Sequence, residues 1–145
     1  MKGYSTDSLH TGKCLVLDSG AIFTGFIVGN PNIGYLTPSV INEVKDEKSK
    51  FDLETAISAQ KVIVMEPEKK YIELVSKFAK KIKVLNKLSK TDIEVLALSY
   101  QLREKFSDVL LVTDDYAMQK IAIKLGIKIV VIKYPGIKDL KSDNK

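Results

Sequence analysis

Short apolar runs alternate along the chain with segments whose apolar residues recur at helical spacing. Four runs have the length of strands, at 14–17, 62–65, 109–112 and 127–132. The first and third of them, Cys-Leu-Val-Leu and Val-Leu-Leu-Val, contain no polar residue, which is typical of strands covered on both faces. The pattern therefore predicts strands that belong to one buried sheet.

Helical segments fill the intervals between these runs. They are predicted at 21–28, after Thr37 and Pro38, at 50–60, at 68–83, after Ser89 or Thr91, and at 116–125, where Gly126 provides a left-handed cap. Strands separated by such helices imply right-handed crossovers and a parallel sheet. We therefore predict an α/β chain: a three-layer α/β/α domain with a central parallel sheet of four or five strands, and with more helix than strand.

The length of 145 residues corresponds to one domain. We place that domain at 14–133, between a polar N-terminal extension at 1–13 and a polar tail at 134–145. The extension lacks the apolar stretch of a secretion signal, and no apolar run approaches the roughly 20 residues that cross a bilayer. The single cysteine, Cys14, excludes a disulfide framework or a cysteine zinc site and is expected in the core. These features predict a cytoplasmic protein with no membrane partner.

Charge adds a candidate partner. The net charge of +5 and pI of about 9.1 are compatible with a polyanion such as RNA, although a lysine-rich surface alone gives the same balance. The lysines that precede Asp92 could bind phosphates or form a solvated helix face; they are Lys77, Lys80, Lys81, Lys83, Lys87 and Lys90. Tyr4 and especially Tyr116 are candidates for base stacking, whereas Phe23 and Phe26 are expected in the core.

Two of the apolar strands lead directly into acidic residues. Asp18 follows the first strand, and Asp114 and Asp115 follow the third strand after Thr113. The carboxyl ends of parallel strands share one edge, and ligands bind there where the strand order reverses. The acids therefore meet if the two strands are neighbours. The alternative is that each aspartate starts a turn or caps the next helix.

Asp92 and Glu43 are two further candidates whose spacing leaves both a structural and a functional interpretation open. Asp92 fits a capping box with Ser89. It also fits the first turn of a helix whose capping box is formed by Thr91 and Glu94. Glu43 borders the buried face of its helix, where a solvated edge position is the alternative. Neither position decides between ligand and structural residue.

An acid-only cluster points to metal chemistry. Crowded carboxylates repel each other, and Mg²⁺ or Mn²⁺, which prefer oxygen ligands, relieve that repulsion. Such an ion lowers the pKa of water and stabilises charge on a scissile phosphate. His10 is the single histidine, and the sequence has no Cys–His pair, no nucleophile elbow and no phosphate-binding glycine loop. The residues favour metal-assisted phosphodiester hydrolysis.

At these residues the chain resembles the PIN-domain nucleases. Their pattern is an Asp ending the first strand, a Glu on the second helix, an Asp opening a later helix and a Thr-x-Asp after the fourth strand. The matching segments are Leu17-Asp18-Ser19, Val40-Ile-Asn-Glu43-Val, Leu88-Ser-Lys-Thr-Asp92-Ile-Glu-Val-Leu-Ala and Val112-Thr113-Asp114-Asp115. Order and spacing fit from Cys14 to Ile132.

Within that superfamily, the segments at 17–23, 88–98 and 112–119 are most similar to the archaeal Nob-type endonucleases, which mature the 3′ end of small-subunit rRNA. The resemblance implies an endoribonuclease whose Mg²⁺ or Mn²⁺ is held by Asp18, Glu43, Asp92 and Asp115, with Asp114 replacing or accompanying Asp115. It also implies that Ser19 and Thr113 orient a water or a carboxylate, and that cleavage leaves a 5′-phosphate and a 3′-hydroxyl. The implied partners are precursor rRNA and the small ribosomal subunit, and a homodimer is left open.

The chain departs from Nob-type proteins in one respect. Those proteins usually carry a zinc ribbon after the PIN domain, and one cysteine is too few to build it. Two other functions compete with rRNA maturation. The first is a VapC-type toxin that cleaves tRNA or mRNA. The second is a non-catalytic RNA-binding module, which would have lost the acids that this chain retains.

Overall fold

The computed structural model describes residues 13–25, 27 and 32–132. The strands are β1 (Lys13–Leu17), β2 (Gly34–Leu36), β3 (Val62–Val64), β4 (Asp108–Thr113) and β5 (Lys128–Val131). The helices are α1 (Ser19–Phe23), α2 (Pro38–Glu43), α3 (Glu47–Ser58), α4 (Lys69–Lys81), α5 (Lys90–Leu102) and α6 (Tyr116–Lys124), with a 3₁₀ turn at Leu85–Lys87. Helix exceeds strand, as predicted.

The five strands form one parallel sheet in the order β3-β2-β1-β4-β5, with helices against it. This confirms the predicted three-layer α/β/α architecture. From β1 the chain moves outward to β2 and β3, then crosses to the other side for β4 and β5. The strand order therefore reverses between β1 and β4, which pair along their lengths from Lys13 opposite Asp108 to Leu17 opposite Val112. The carboxyl ends of these two neighbours mark the crevice where such folds bind ligands.

The core lies around β1, β4 and the middle of α5. The side chains of β1 from Cys14 to Leu17 are at most 3% exposed, and Leu111 and Val112 of β4 are fully buried. Cys14 is a buried free thiol, as expected. Two strands that are covered on both faces hold their ends rigidly, so the residues that follow them are placed by the core and not by loops.

Strand β2 was not predicted from the sequence. Its three residues, Gly-Tyr-Leu, are too few to register as an apolar run, although all three are buried. A Cβ at Gly34 would lie 2.6 Å from Cδ1 of Leu17, so close packing against β1 selects glycine at a position where strand propensity disfavours it. Strand β2 is thus determined by tertiary packing and not by its own sequence pattern.

Helix starts are fixed by capping side chains, and they shift two predicted boundaries. Helix α1 begins at Ser19 and not at Ala21, because Asp18 is its N-cap. Helix α3 begins at Glu47 and not at Lys50, because Asp46 accepts a hydrogen bond from the backbone of Ser49. The predicted Thr37–Pro38 start of α2 and the left-handed conformation of Gly126 are confirmed.

The predicted extension and tail fall outside the described residues, except for Lys13, which is the first residue of β1 and not part of an extension. Tyr4, His10 and Phe26 also lie outside them. In the described part of the chain, no helix is long and apolar enough to cross a membrane.

Candidate active site

Asp18 lies at the carboxyl end of β1, where it is only 6% exposed. Its backbone N–H donates to the carbonyl of Val112 at 3.0 Å, which extends the β1–β4 pairing by one residue. Its Oδ1 accepts a hydrogen bond from the backbone of Ser19 at 2.9 Å, and its Oδ2 accepts one from Oγ1 of Thr113 at 2.7 Å. The carboxylate is therefore both a helix cap and part of a link between the two central strands.

Thr113, the last residue of β4, connects Asp18 to the acids that follow. Its fully buried hydroxyl donates to Asp18 and also accepts a hydrogen bond from the backbone N–H of Asp115 at 3.1 Å. Asp115 in turn caps α6, with Oδ1 accepting from the backbones of Ala117 and Met118. One hydroxyl thus sets the distance between the Asp18 carboxylate and the turn that carries Asp115.

Asp92 lies in the first turn of α5 and belongs to a capping box with Ser89. Its Oδ2 accepts from the backbone of Ser89 at 2.9 Å, and its backbone N–H donates to Oγ of Ser89 at 3.0 Å. The alternative cap at Thr91 is therefore wrong. The capping box uses one oxygen of Asp92, and the side chain is half-buried.

The negative charges of these acids and of Glu43 affect one another's pKa values. The pKa of Asp18 is raised from 3.8 to about 6, mainly by burial and also by the negative charges of Asp92 and Asp115, against the lowering effect of the bonds from Thr113 and Ser19. Burial also raises the pKa of Asp92, as do the charges of Asp115 and Glu43. Residues 18, 43, 92 and 115, remote in the chain, therefore act on one another through space.

Glu43 and Asp114 are more exposed than the other acids. Glu43 is the last residue of α2, which contacts α5. Asp114 lies over the start of α1, with its carboxylate close to the backbone of Gly20. Asp114 and Asp115, which the sequence alone does not separate, are thus placed differently. Asp115 caps a helix next to Thr113, and Asp114 sits against α1.

The donor set fits a hard divalent cation. All its ligand atoms are carboxylate oxygens, and repulsion among them acts on the pKa values of Asp18 and Asp92. Among the described residues the salt bridges join Lys48 to Asp52 and Lys128 to Asp108, so neither neutralises this cluster. No three acids within 13–25, 27 and 32–132 are close enough to form a finished metal site. A bound ion would therefore have to draw the carboxylates together.

The candidate lysines and the described aromatic candidates, Phe23 and Tyr116, lie on the surface. The six lysines from Lys77 to Lys90 are all exposed: Lys80 and Lys81 lie in the last turn of α4, and Lys90 opens α5 two residues before Asp92. Tyr116, directly after Asp115, is 76% exposed. Phe23 was expected in the core, and that prediction is wrong. Its side chain is 49% exposed, because α1 ends at this residue and turns its last side chain outward.

Two residues near the acids were not singled out from the sequence. Gln119 donates from Nε2 to the backbone carbonyl of Thr113 at 3.3 Å and so ties α6 back to the end of β4. Its position four residues after the Asp115 cap was the available signal. Gly20 gave no signal, because its close contact with Asp114 joins segments more than ninety residues apart.

Comparison with known proteins shows the family of this chain. Residues 15–102 match the family model for the PIN domain of ribonuclease. The endoribonuclease Nob1 of Pyrococcus abyssi is 45% identical over 125 residues, which cover 86% of this chain and 71% of that protein.

Two other relatives differ in the share of their length that matches this chain. The ribonuclease VapC3 of Aeropyrum pernix is 34% identical over 137 residues, covering 94% of this chain and 99% of that protein. The 20S-pre-rRNA D-site endonuclease nob1 of Schizosaccharomyces pombe is 37% identical over 95 residues, covering 64% of this chain and 24% of that protein. The chain therefore spans nearly all of one relative and a quarter of the other.

Proposed function

The chain belongs to the PIN-domain family of ribonucleases, and on that premise we propose that it is a metal-dependent endoribonuclease that cleaves precursor small-subunit (16S) rRNA at its 3′ end. The observation that carries the proposal is the state of Asp18. It is a buried carboxylate at the switch point of the sheet, it is held by Thr113, and it is destabilised by the charges of Asp92 and Asp115. A hydrolase that works through a divalent ion needs such a cluster of negative charge.

The ion in this proposal is Mg²⁺ or Mn²⁺, held by Asp18, Asp92 and Asp115 with Glu43 at the rim. When bound, such an ion activates water for attack and neutralises charge on the phosphate. Asp115 is favoured over Asp114 as a ligand because its charge acts directly on both Asp18 and Asp92.

The surrounding residues orient the carboxylates. Thr113 fixes one oxygen of Asp18 and the backbone of Asp115 at the same time. The backbone N–H of Ser19 fixes the other oxygen of Asp18, so this carboxylate has little rotational freedom. Preorganisation of this kind lowers the entropy lost when a substrate phosphate is bound. Thr113 therefore acts as the main positioning residue of the proposed site, with Ser19 in support.

RNA binding in this proposal uses the surface next to the acids. The exposed lysines on α4, the 3₁₀ turn and the start of α5 neutralise phosphates, which attracts RNA without reading its sequence. Tyr116 offers an exposed ring one residue after Asp115, where a base next to the scissile bond can stack.

The choice of rRNA as substrate is supported by the relatives. Nob1 of Pyrococcus abyssi covers most of this chain, and the fission-yeast relative is a 20S-pre-rRNA D-site endonuclease. The proposed partner is accordingly the precursor small subunit. We place the reaction in the cytoplasm, in accord with the single buried thiol. A homodimer remains part of the proposal to be tested by the mass of the protein in solution.

A second candidate function has one observation in its favour. The match to VapC3 covers 99% of that protein and 94% of this chain. A VapC-type ribonuclease would use the same acids on tRNA or mRNA. A non-catalytic RNA-binding module is disfavoured, because the acids are retained and clustered.

The test is cleavage of a model precursor that spans the mature 3′ end of 16S rRNA, with tRNA and mRNA as competing substrates. We expect one cut at the mature end, dependent on Mn²⁺ and abolished in Asp18→Asn. Asp52→Asn is the matched control, since Asp52 is an aspartate outside the cluster that pairs with Lys48.

Three results would contradict the proposal. Cleavage in excess EDTA would refute the metal requirement. Full activity in Asp18→Asn would refute the site. Preferential cutting of tRNA or mRNA would favour the VapC-type function in place of rRNA maturation.

A further inference from the structure

A shallow groove lies where α4 ends and the 3₁₀ turn begins. It has a volume of about 450 Å³ and is lined by Lys80, Lys83, Leu85 and Asn86, all of which are exposed. Within the part of the chain that the structure describes, neither lysine forms a salt bridge and the Asn86 side chain forms no hydrogen bond. The groove therefore offers two positive charges, an amide and the apolar surface of Leu85 to a ligand.

This combination of groups matches one nucleotide of a single strand. Lysine side chains neutralise backbone phosphates. An exposed apolar side chain can pack against the face of an unpaired base, and an amide can both donate to and accept from the edge of that base. In a duplex the bases are stacked and paired, so a groove on the protein surface reaches the phosphates alone. A single strand is therefore the form of RNA that uses all four groups.

The backbone of Lys83 is unusual for a lysine. Its φ is 64°, in the left-handed region, and its N–H donates to the carbonyl of Lys80 at 3.1 Å to end α4. Glycine is the usual residue at this position, and Gly126 occupies the equivalent position at the end of α6. The helix dipole does not require a third cation here, because Lys80 and Lys81 already lie in the last turn. The side chain of Lys83 is thus present at a position where local stability favours glycine.

We propose that this groove binds one nucleotide of single-stranded RNA, with its phosphate on Lys80 and Lys83. Leu85 and Asn86 contact the base of that nucleotide. This inference rests on the proposed function, which makes RNA the substrate. Asn86 precedes Asp92 by six residues, which span at most about 20 Å, and roughly six stacked nucleotides cover that distance. The groove therefore holds the RNA strand within a few nucleotides of the proposed metal site.

The first test compares Lys83→Gly with Gln60→Gly. Gln60 is the matched control, because it ends α3 with a φ of 60° and does not line the groove. Both changes supply the residue that the backbone favours, so neither thermal midpoint should fall below that of the wild type. RNA affinity is measured on the full chain in EDTA, by the fluorescence anisotropy of a labelled single-stranded RNA.

We expect Lys83→Gly to weaken RNA binding about fivefold at 0.1 M salt. The slope of log affinity against log salt should fall by about 0.7, the value of one phosphate contact to a single strand. Gln60→Gly should keep the affinity and slope of the wild type. A Lys83→Gly protein with wild-type affinity and slope, or an equal loss in Gln60→Gly, would overturn the proposal.

The second test examines contact with the base through Leu85→Ala. We expect this change to weaken binding of single-stranded RNA at every salt concentration with an unchanged slope, because an apolar contact releases no counterion. Binding of duplex RNA should stay the same. Leu74→Ala is the matched control, since Leu74 is an exposed leucine of α4 outside the groove, and it should change neither affinity. Wild-type affinity of Leu85→Ala for the single strand, or an equal loss for the duplex, would overturn the base contact.

The occupant and the proposed function are tested separately. If Lys83→Gly weakens binding of polyglutamate as much as binding of RNA, the groove takes an acidic protein segment and the proposal is overturned. Binding in EDTA does not depend on cleavage, so the groove is tested whether or not the protein cuts RNA. A wild type that binds RNA through the groove but does not cleave it with Mn²⁺ contradicts the proposed function alone. A wild type that cleaves RNA while Lys83→Gly keeps full affinity contradicts the groove alone.

Discussion

At the scale of single residues, the ionised form of Asp18 that metal binding requires is also the form that destabilises the metal-free fold. Burial and neighbouring charges raise its pKa to about 6, so the folded protein holds a proton there that the unfolded chain releases near pH 4. Since the folded state binds more protons in this interval, its stability falls as pH rises from about 4 to 6. The ionised carboxylate that a metal requires is therefore unfavourable in the metal-free fold.

Asp18→Asn should consequently be more stable than the wild type at pH 7 in EDTA. The gain is at most about 3 kcal/mol, since each pKa unit is worth about 1.4 kcal/mol. The two proteins should be equally stable near pH 3.5, where Asp18 is protonated in both states. Chemical denaturation at pH values from 3.5 to 8 checks this. A constant difference across that range would show that titration of Asp18 is not its source.

The sequence was informative about residues whose position follows from a strand end. Asp18 and the Asp114–Asp115 pair were expected to lie together because parallel strands deliver their next residues to a common edge. A role for Thr113 was implied only by the family resemblance. Gly20 and Gln119 could not be identified in this way, because their partners are fixed by how α1 and α6 pack against β4. Phe23 was misplaced for a related reason, since its exposure depends on where a short helix ends.

At the scale of elements, helix starts carry the acids. Asp18 caps α1, Asp92 joins the capping box of α5, and Asp115 caps α6. The structural and functional interpretations of these aspartates, which the sequence left open, are therefore compatible. At Asp92 and at Asp115, one carboxylate oxygen accepts the capping hydrogen bonds. The positive end of the helix dipole then faces the negative charge of the carboxylate.

Two substitutions in the α5 capping box separate these roles. Ser89→Ala removes the oxygen that accepts from the backbone of Asp92, and it should cost about 1 kcal/mol of unfolding free energy while RNA cleavage changes little. Asp92→Asn keeps an acceptor for the Ser89 backbone and should be nearly neutral for stability, but it should abolish cleavage. Denaturation and cleavage rates of both variants check this. An Asp92→Asn protein with full activity would leave Asp92 as a cap only.

Elements with a strong local pattern were predicted well. Strands β1 and β4 and helices α4 to α6 follow the apolar pattern closely, and their predicted ends differ from the observed ones by at most two residues. Strand β2 was missed because its burial comes from neighbours on both sides and not from its own three residues.

At the scale of the whole molecule, charge is segregated. The chain is basic overall, yet the negative charges of Asp18, Asp92 and Asp115 act on one another near the switch point of the sheet. The lysines of α4 and the following turn are exposed and precede Asp92 in the chain. A polyanion would be drawn to the lysines, whereas a cation would be drawn to the acids. The sequence predicted both groups, but their relative placement required the fold.

Replacing Lys80 and Lys81 by Ala should flatten the salt dependence of RNA binding, by a slope of about 1.4 if each contacts one phosphate of a single strand. The matched control is the replacement of Lys69 and Lys70 by Ala. This pair lies at the other end of α4, about 16 Å away along the helix. Binding of a single-stranded RNA measured from 50 to 300 mM salt tests this. Equal slopes for the two double variants would indicate that Lys80 and Lys81 belong to a solvated helix face and do not contact phosphate.

The proposed function requires a divalent cation to bind at the carboxyl ends of β1 and β4. Anomalous scattering from a crystal soaked in Mn²⁺ tests it most directly. We expect a peak within about 2.5 Å of carboxylate oxygens of Asp18 and of Asp92 or Asp115, with these side chains drawn inward. A crystal saturated with Mn²⁺ that shows no peak there, or whose Mn²⁺ lies only at other acids, would contradict the proposed active site.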